Sequence, residues 1–185
     1  MKPLFTLHAG EYLVGAHIEQ SFKRANVWVP SRDTGIDLLV SDGQNRNTVS
    51  LQVKFSKDFL VTNMRPAFRE KLRACGWWAI KWDKLVKSQA DYWVFVVLGF
   101  ASRTTDFVVI PRQDLIDRLG VVHGASKSTK ILQTYIWVTS HKRCWETRGL
   151  IHADQQAVAD GDYQHPHRDL TKWLNNWDPV ARLDR

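Results

Sequence analysis

Residues 33–55 read DTGIDLLVSDGQNRNTVSLQVKF, and how this stretch folds decides the rest of the chain. Ile36 to Val40 and Val49 to Phe55 are β-rich runs. The polar stretch Ser41 to Thr48 lies between them and carries an Asp42-Gly43 turn signal. In the second run Val49, Leu51, Val53 and Phe55 alternate with Ser50, Gln52 and Lys54, so period-two geometry puts Gln52 and Lys54 on one face. In the first run Asp37 shares a face with Leu39, opposite Ile36 and Leu38. A hairpin that pairs Val40 with Val49 sets Asp37 directly opposite Gln52, with Cβ atoms about 4.5–5.5 Å apart. A slip of one residue turns the polar set to the other face and dissolves the cluster.

Working outward, Gly10 to Arg24 reads as a helix with Glu11, Gly15, Ile18 and Phe22 on one stripe. Asn26 to Pro30 is a short strand ended by proline. Beyond the hairpin, a basic region from about Arg65 to Ser88 reads as helical, with Gly76 as a break. Strands are expected at Tyr92–Phe100, Phe107–Ile110 and Ile131–Val138, and a helix at about Arg112–Leu119. The tail, Asp169 to Leu183, reads as a short helix interrupted at Pro179. This order predicts an α/β (α+β) chain, a mixed sheet with helices packed on it. At 185 residues the length suits one domain, with a core over about 8–100 and a C-terminal elaboration over about 101–185.

A hydrophobic fraction of 44% and a charged fraction of 24% describe a soluble, globular chain. No apolar run is long enough to span a bilayer, so no membrane partner is expected. The first ten residues lack a signal-peptide pattern. Two cysteines, Cys75 and Cys144, are too few for a disulfide framework, and the cytoplasm is the expected compartment. The net charge is +7 and the pI near 9.6. Nine basic residues fall between Lys54 and Lys87 against three acidic ones, which favours a polyanionic partner.

A carboxylate, an amide and an ammonium gathered at one place suit metal-assisted phosphodiester hydrolysis. A hard divalent cation takes oxygen ligands. Asp37 offers a carboxylate, Gln52 a side-chain carbonyl and Val53 its backbone carbonyl. Lys54 is placed to hold a water and developing negative charge. Glu11 sits on the sheet-facing stripe of the first helix, either as a first-turn acid or as a fourth member of the cluster. The alternative for Asp37, Gln52 and Lys54 is the polar outer face of an ordinary hairpin.

The segments Gly10-Glu11-Tyr12-Leu13-Val14-Gly15, Val29-Pro30, Asp33-Thr34-Gly35-Ile36-Asp37-Leu38-Leu39-Val40 and Leu51-Gln52-Val53-Lys54 together resemble the catalytic core of PD-(D/E)XK, or restriction-endonuclease-like, nucleases. The closest likeness is to the Holliday-junction-resolvase-like, type IV restriction and intron-encoded branches. The resemblance implies a restriction-endonuclease-like αβββαβ core with a mixed sheet flanked by helices. It implies DNA as partner, hydrolysis of DNA phosphodiesters with Mg2+ or Mn2+, and two chains paired as a homodimer. It carries the family's helix acid onto Glu11, its strand Asp onto Asp37 and its acid-X-Lys motif onto Gln52 and Lys54. The departure is Gln52, where the family usually has an acid. Some branches use Gln there, and a catalytically inactive, nucleic-acid-binding descendant is the alternative.

Ser56 and Lys57 follow the motif and are candidates for phosphate contact. Arg65, Arg69 and Arg73 recur every fourth residue and would form a basic helix face. The loop Gly124 to Lys130, with Lys127 and Lys130, is a further candidate DNA contact. It lacks the spacing of a nucleotide-binding phosphate loop. The nine tryptophans point to core packing or an interface more than to base stacking, although a protein-interaction domain is a third reading. Neither His141 with Cys144 nor His165 with His167 has the second ligand pair of a zinc site.

Overall fold

The computed structural model describes residues 8–32, 34–57, 65–99, 103–126 and 128–185. The helix α1 (Ala9–Ser21) leads into strands β1 (Asn26–Trp28), β2 (Leu38–Ser41) and β3 (Thr48–Phe55). A short helix α2 (Pro66–Arg69) precedes β4 (Leu72–Lys81), which runs into the helix α3 (Trp82–Val86). Then come β5 (Tyr92–Gly99), β6 (Thr104–Pro111), α4 (Arg112–His123), β7 (Ile131–Thr139) and β8 (Cys144–Glu146). The chain ends with α5 (His152–Asp160), a 3-10 turn (Thr171–Trp173) and α6 (Asp178–Ala181).

Five strands form a mixed sheet in the order β1-β2-β3-β5-β6, and three form a second sheet in the order β4-β7-β8. In the first sheet β3 and β5 are parallel and the other neighbours antiparallel. The mixed α/β class expected from the sequence is therefore present. The hairpin has the expected register, with Val40 opposite Val49 and Leu38 opposite Leu51. Burial enforces it. Leu38, Val40, Leu51 and Val53 are all buried in a cluster with Val14 and Ile18 of α1. At about 1.5–3 kcal/mol for each buried side chain, a one-residue slip would forfeit roughly 6–12 kcal/mol, comparable to the whole stability of a domain.

The sheet is covered on both faces. One face packs on α1 and on Trp177, Val180 and Leu183 of the C-terminal segment. The other, carrying Trp93, Phe95, Val108 and Ile110, packs on Trp78, Ile80 and Ile136 of the second sheet and on Leu85, Leu115 and Leu119 of the helices.

The region after the hairpin departs from expectation. Among the described residues of 65–88 only Pro66–Arg69 and Trp82–Val86 are helical, and between them Leu72–Lys81 is a ten-residue strand. Gly76 does not break a helix. It sits within β4 opposite Ile136, where a Cβ would lie 2.4 Å from the Trp78 ring. The connection from β3 to β5 thus carries a strand of a second sheet in place of the expected long helix. The four-residue recurrence of Arg65, Arg69 and Arg73 does not make a helix face, because Arg73 lies on β4 and pairs with buried Asp106 at 2.8 Å. In the tail, Pro179 lies in the first turn of α6 rather than interrupting a longer helix, as suits a residue that lacks an N–H. Strand β8 and helix α5 have no counterpart among the expected elements. Cys75 and Cys144 are both buried and free, in separate core clusters, which agrees with the absence of a disulfide framework. Trp78, Trp82, Trp93, Trp137, Trp145, Trp173 and Trp177 are buried, so these tryptophans serve packing.

Candidate active site

The site lies where β3 outruns β2. Pairing between the two ends at Leu38 and Leu51, with one further bond from the Asp37 N–H to the Leu51 carbonyl at 2.8 Å. Strand β3 continues to Phe55, held on its other side by β5. The Val53 N–H would be left without a strand partner at this edge. The Asp37 carboxylate takes its place: Oδ2 accepts the Val53 N–H at 2.8 Å and also a hydrogen bond from Gln52 Nε2. Hydrogen bonds to an ionised group are worth about 1.5–3 kcal/mol each, which offsets the cost of burying Asp37 at 7% exposure. Since both ladder groups of a strand residue leave the same edge, the Val53 carbonyl faces this end of β2 as well.

Gly35 and Gly10 bring the remaining chain close. Gly35 has φ +82°, a conformation that suits glycine, and it places the turn before Asp37 against Gln52: a Cβ on Gly35 would lie 3.8 Å from Gln52 Oε1. At Gly10 a Cβ would lie 2.6 Å from the Phe55 Cβ and 3.3 Å from Val53 Cγ1. Only a residue without a side chain lets the start of α1 approach β3 so closely, and this contact delivers Glu11. The Glu11 carboxylate accepts the His8 N–H at 3.3 Å and is buried at 4% exposure. Glu11 thus holds the start of α1 and also lines the groove beside Asp37.

Glu11, Asp37, Gln52, Val53 and Lys54 line one groove of about 980 Å3. Lys54 is half-buried, with its ammonium 5.1 Å from the centre of the Trp93 ring. The opposite wall is formed by the end of β4 and by α3, which contribute Lys81, Asp83, Lys84 and Lys87. Four lysines and three carboxylates thus share the groove, with Glu11 and Asp37 on one side and Lys81, Lys84 and Lys87 on the other. Among the described residues no group of three or more His, Cys, Asp or Glu side chains is placed to hold a metal. The oxygen donors gathered here are two carboxylates and amide carbonyls.

The other candidates lie elsewhere. Ser56 is buried; its hydroxyl accepts the Trp77 N–H at 3.1 Å and donates to the Lys57 carbonyl at 3.1 Å, a tie between β3 and β4. Lys57, Arg65, Arg69 and Lys130 are exposed and do not line the groove. Lys127 lies outside the described residues. Lys81, Lys84 and Lys87 belong to the basic excess between Lys54 and Lys87, which the sequence alone does not assign to the site. Their spacing of three residues was visible, but their position depends on where β4 docks.

No described helix is long and apolar enough to cross a membrane. No family model, curated protein or solved structure matches the chain.

Proposed function

We propose that the chain is a divalent-metal-dependent DNA endonuclease of the PD-(D/E)XK kind, acting through Asp37, Gln52, Lys54 and Glu11. The observation that carries this reading is the juxtaposition across the hairpin: Asp37 accepts hydrogen bonds from Gln52 and Val53, and Lys54 and Glu11 open on the same groove.

The donor chemistry fits Mg2+ or Mn2+. The carboxylates of Asp37 and Glu11 and the carbonyl oxygens of Gln52 and Val53 are hard oxygen ligands. Gln52 here donates its amide nitrogen to Asp37, so the amide must turn to offer its oxygen to an ion. A bound divalent cation supplies Lewis-acid stabilisation of charge on the scissile phosphate. Lys54 presents a compact positive charge toward the same space, where it steadies negative charge developing on the phosphate and orients the attacking water. Trp93 beneath the Lys54 ammonium fixes its position. Burial of Glu11, Asp37 and Gln52 lowers the dielectric around their polar groups, which strengthens each of these interactions.

One observation favours a second reading, a nucleic-acid-binding module without catalysis. Gln52 satisfies Asp37 by hydrogen bonding alone, so the pair is stable without an ion. Cleavage of duplex, single-stranded and four-way-junction DNA with Mg2+ or Mn2+ separates the two. The nuclease reading expects metal-dependent cleavage that is lost in Asp37→Ala and Lys54→Ala. Cleavage unchanged in both variants sinks it. Tight DNA binding with neither metal uptake nor cleavage selects the second reading.

A further inference from the structure

The opposite wall of the groove shows a pattern that the proposed catalytic residues do not account for. Lys81 closes β4 and caps α3, Lys84 lies within α3, and Lys87 caps its C-terminal end. All three are exposed and all three line the groove. Among the described residues none has a salt-bridge partner. At the other end of the same strand the basic residues are engaged, Lys71 with Asp160 and Arg73 with Asp106. The unpaired charge of this strand therefore lies at the groove end of β4, where, among the described residues, Asp83 is the sole acid on that wall. Lys87 lies six positions beyond Lys81, roughly 9 Å at a helical rise of 1.5 Å per residue. Phosphates of one DNA strand are spaced about 3.4 Å along the axis, so the row covers two to three phosphate intervals, at least three successive phosphates.

We propose that Lys81, Lys84 and Lys87 form a phosphate-binding ridge that holds the backbone of the DNA strand running through the groove, against the wall that carries Asp37 and Glu11. The choice of DNA rests on the nuclease reading above. The ridge itself rests on charge and placement. A row of ammonium groups on flexible stems neutralises backbone phosphates whatever the base sequence, so the ridge positions the strand and does not select sequence.

The test is metal-free binding of fluorescently labelled single-stranded and duplex DNA, in EDTA, followed by anisotropy across a salt series. It compares K84Q/K87Q with a charge-matched K23Q/K142Q. Lys23 follows the far end of α1, and Lys142 lies in the β7–β8 turn, at the end of the second sheet opposite Lys81. K84Q/K87Q is expected to weaken binding by about tenfold or more near 0.1 M salt, and to flatten the slope of log Kd against log salt by about 1.4–1.8. K23Q/K142Q is expected to stay near wild type, and K84R/K87R to restore binding. Equal losses in the two glutamine pairs, or an unchanged slope in K84Q/K87Q, overturn the ridge. Binding without metal is independent of cleavage, so this result stands apart from the fate of the nuclease reading. If Asp37→Ala and Lys54→Ala leave cleavage intact while K84Q/K87Q loses binding, the catalytic assignment falls and the ridge remains.

Discussion

The two walls of the groove are built in opposite ways. On one, α1 and the β2–β3 hairpin hold Glu11, Asp37 and Gln52 below 10% exposure, braced by backbone and side-chain hydrogen bonds. On the other, Lys81, Lys84 and Lys87 stand exposed on a strand end and a helix of five residues. Buried, cross-braced groups have little freedom left to lose, so they can present ligands to a small ion without reorganising. Exposed lysines keep their rotamers and follow a polymer whose phosphates vary in position. Under the nuclease proposal, this contrast puts chemistry on the rigid wall and tethering on the soft one.

The sharpest way to break this contrast is by kinetics. Asp37→Asn or Lys54→Ala is expected to lower metal-dependent DNA cleavage by about 100-fold or more, mainly in kcat. K84Q/K87Q is expected to act mainly on KM, and to act less at low salt. Steady-state cleavage of a labelled substrate at two salt concentrations measures both. A loss of the same kind in both sets would erase the division between the walls.

Next in size are two glycines, one behind each wall. Gly76→Ala places a Cβ 2.4 Å from the Trp78 ring. That ring is buried and packed edge-on against Phe95 at 5.0 Å, so it has no room to swing away. The expected cost is about 1–3 kcal/mol, a fall of several degrees in Tm for a chain of this size. Had residues 65–88 been a helix, the same change would stabilise by about 1 kcal/mol. Thermal unfolding therefore separates strand from helix by the sign of the shift. Gly10→Ala is expected to have a smaller effect on stability, because some helix propensity is regained as the start of α1 is pushed from Phe55. Its signature is a drop in cleavage larger than its drop in Tm, since Glu11 rides on the displaced turn. Intact cleavage with a lowered Tm would remove Glu11 from the site.

These two glycines also show why one wall was legible in the sequence and the other was not. The hairpin is local: alternation over Val49–Phe55, an acid on the matching face and a nearby turn are enough to bring Asp37 beside Gln52, although the strand pairing itself stops one residue short, at Leu38 and Leu51. The strand β5 and the helix α4 were found for the same reason, each being a continuous pattern. Strand β4 pairs with β7, whose first residue lies fifty positions beyond Lys81, and no local feature announces such a partner. A signal did exist. Leu72, Ala74, Gly76, Trp78 and Ile80 alternate as a strand does, and all are buried. The charges at Arg65, Arg69 and Arg73, spaced by four, masked it with an accidental helical period. The lysine wall went unassigned because its place depends on that docking, although the charge excess between Lys54 and Lys87 was plain. The tryptophan count gives class and not location: Trp78, Trp82, Trp93 and Trp173 fill the space between the two sheets, while Trp137, Trp145 and Trp177 pack in the other two core clusters.

The smallest expected effect concerns the loop that holds the hairpin in register. The Asp42-Gly43 signal suggests a tight turn, but the connection spans 42–47, with Asn45 at φ +57° and the Asp42 N–H bonded to the Asn47 carbonyl at 3.0 Å. The Asp42 carboxylate organises it by accepting the N–H groups of Gln44, Arg46 and Asn47 at 3.1, 2.9 and 3.1 Å, together with the Asn47 side-chain amide at 2.7 Å. The Arg46 N–H, followed by the Asn47 amide, holds the Asp42 carboxyl below the usual carboxylate range. A carboxyl whose pKa falls on folding contributes stability above its ordinary range and loses it as pH drops through the folded value. Asp42→Ala is therefore expected to lower Tm slightly near neutral pH, with the difference from wild type shrinking as the solution is acidified through that range. Because the buried face of the hairpin sets the register far more strongly than the loop does, the variant should keep its DNA cleavage. A large loss of cleavage in Asp42→Ala would mean that the turn, and not the apolar face, keeps Asp37 opposite Gln52.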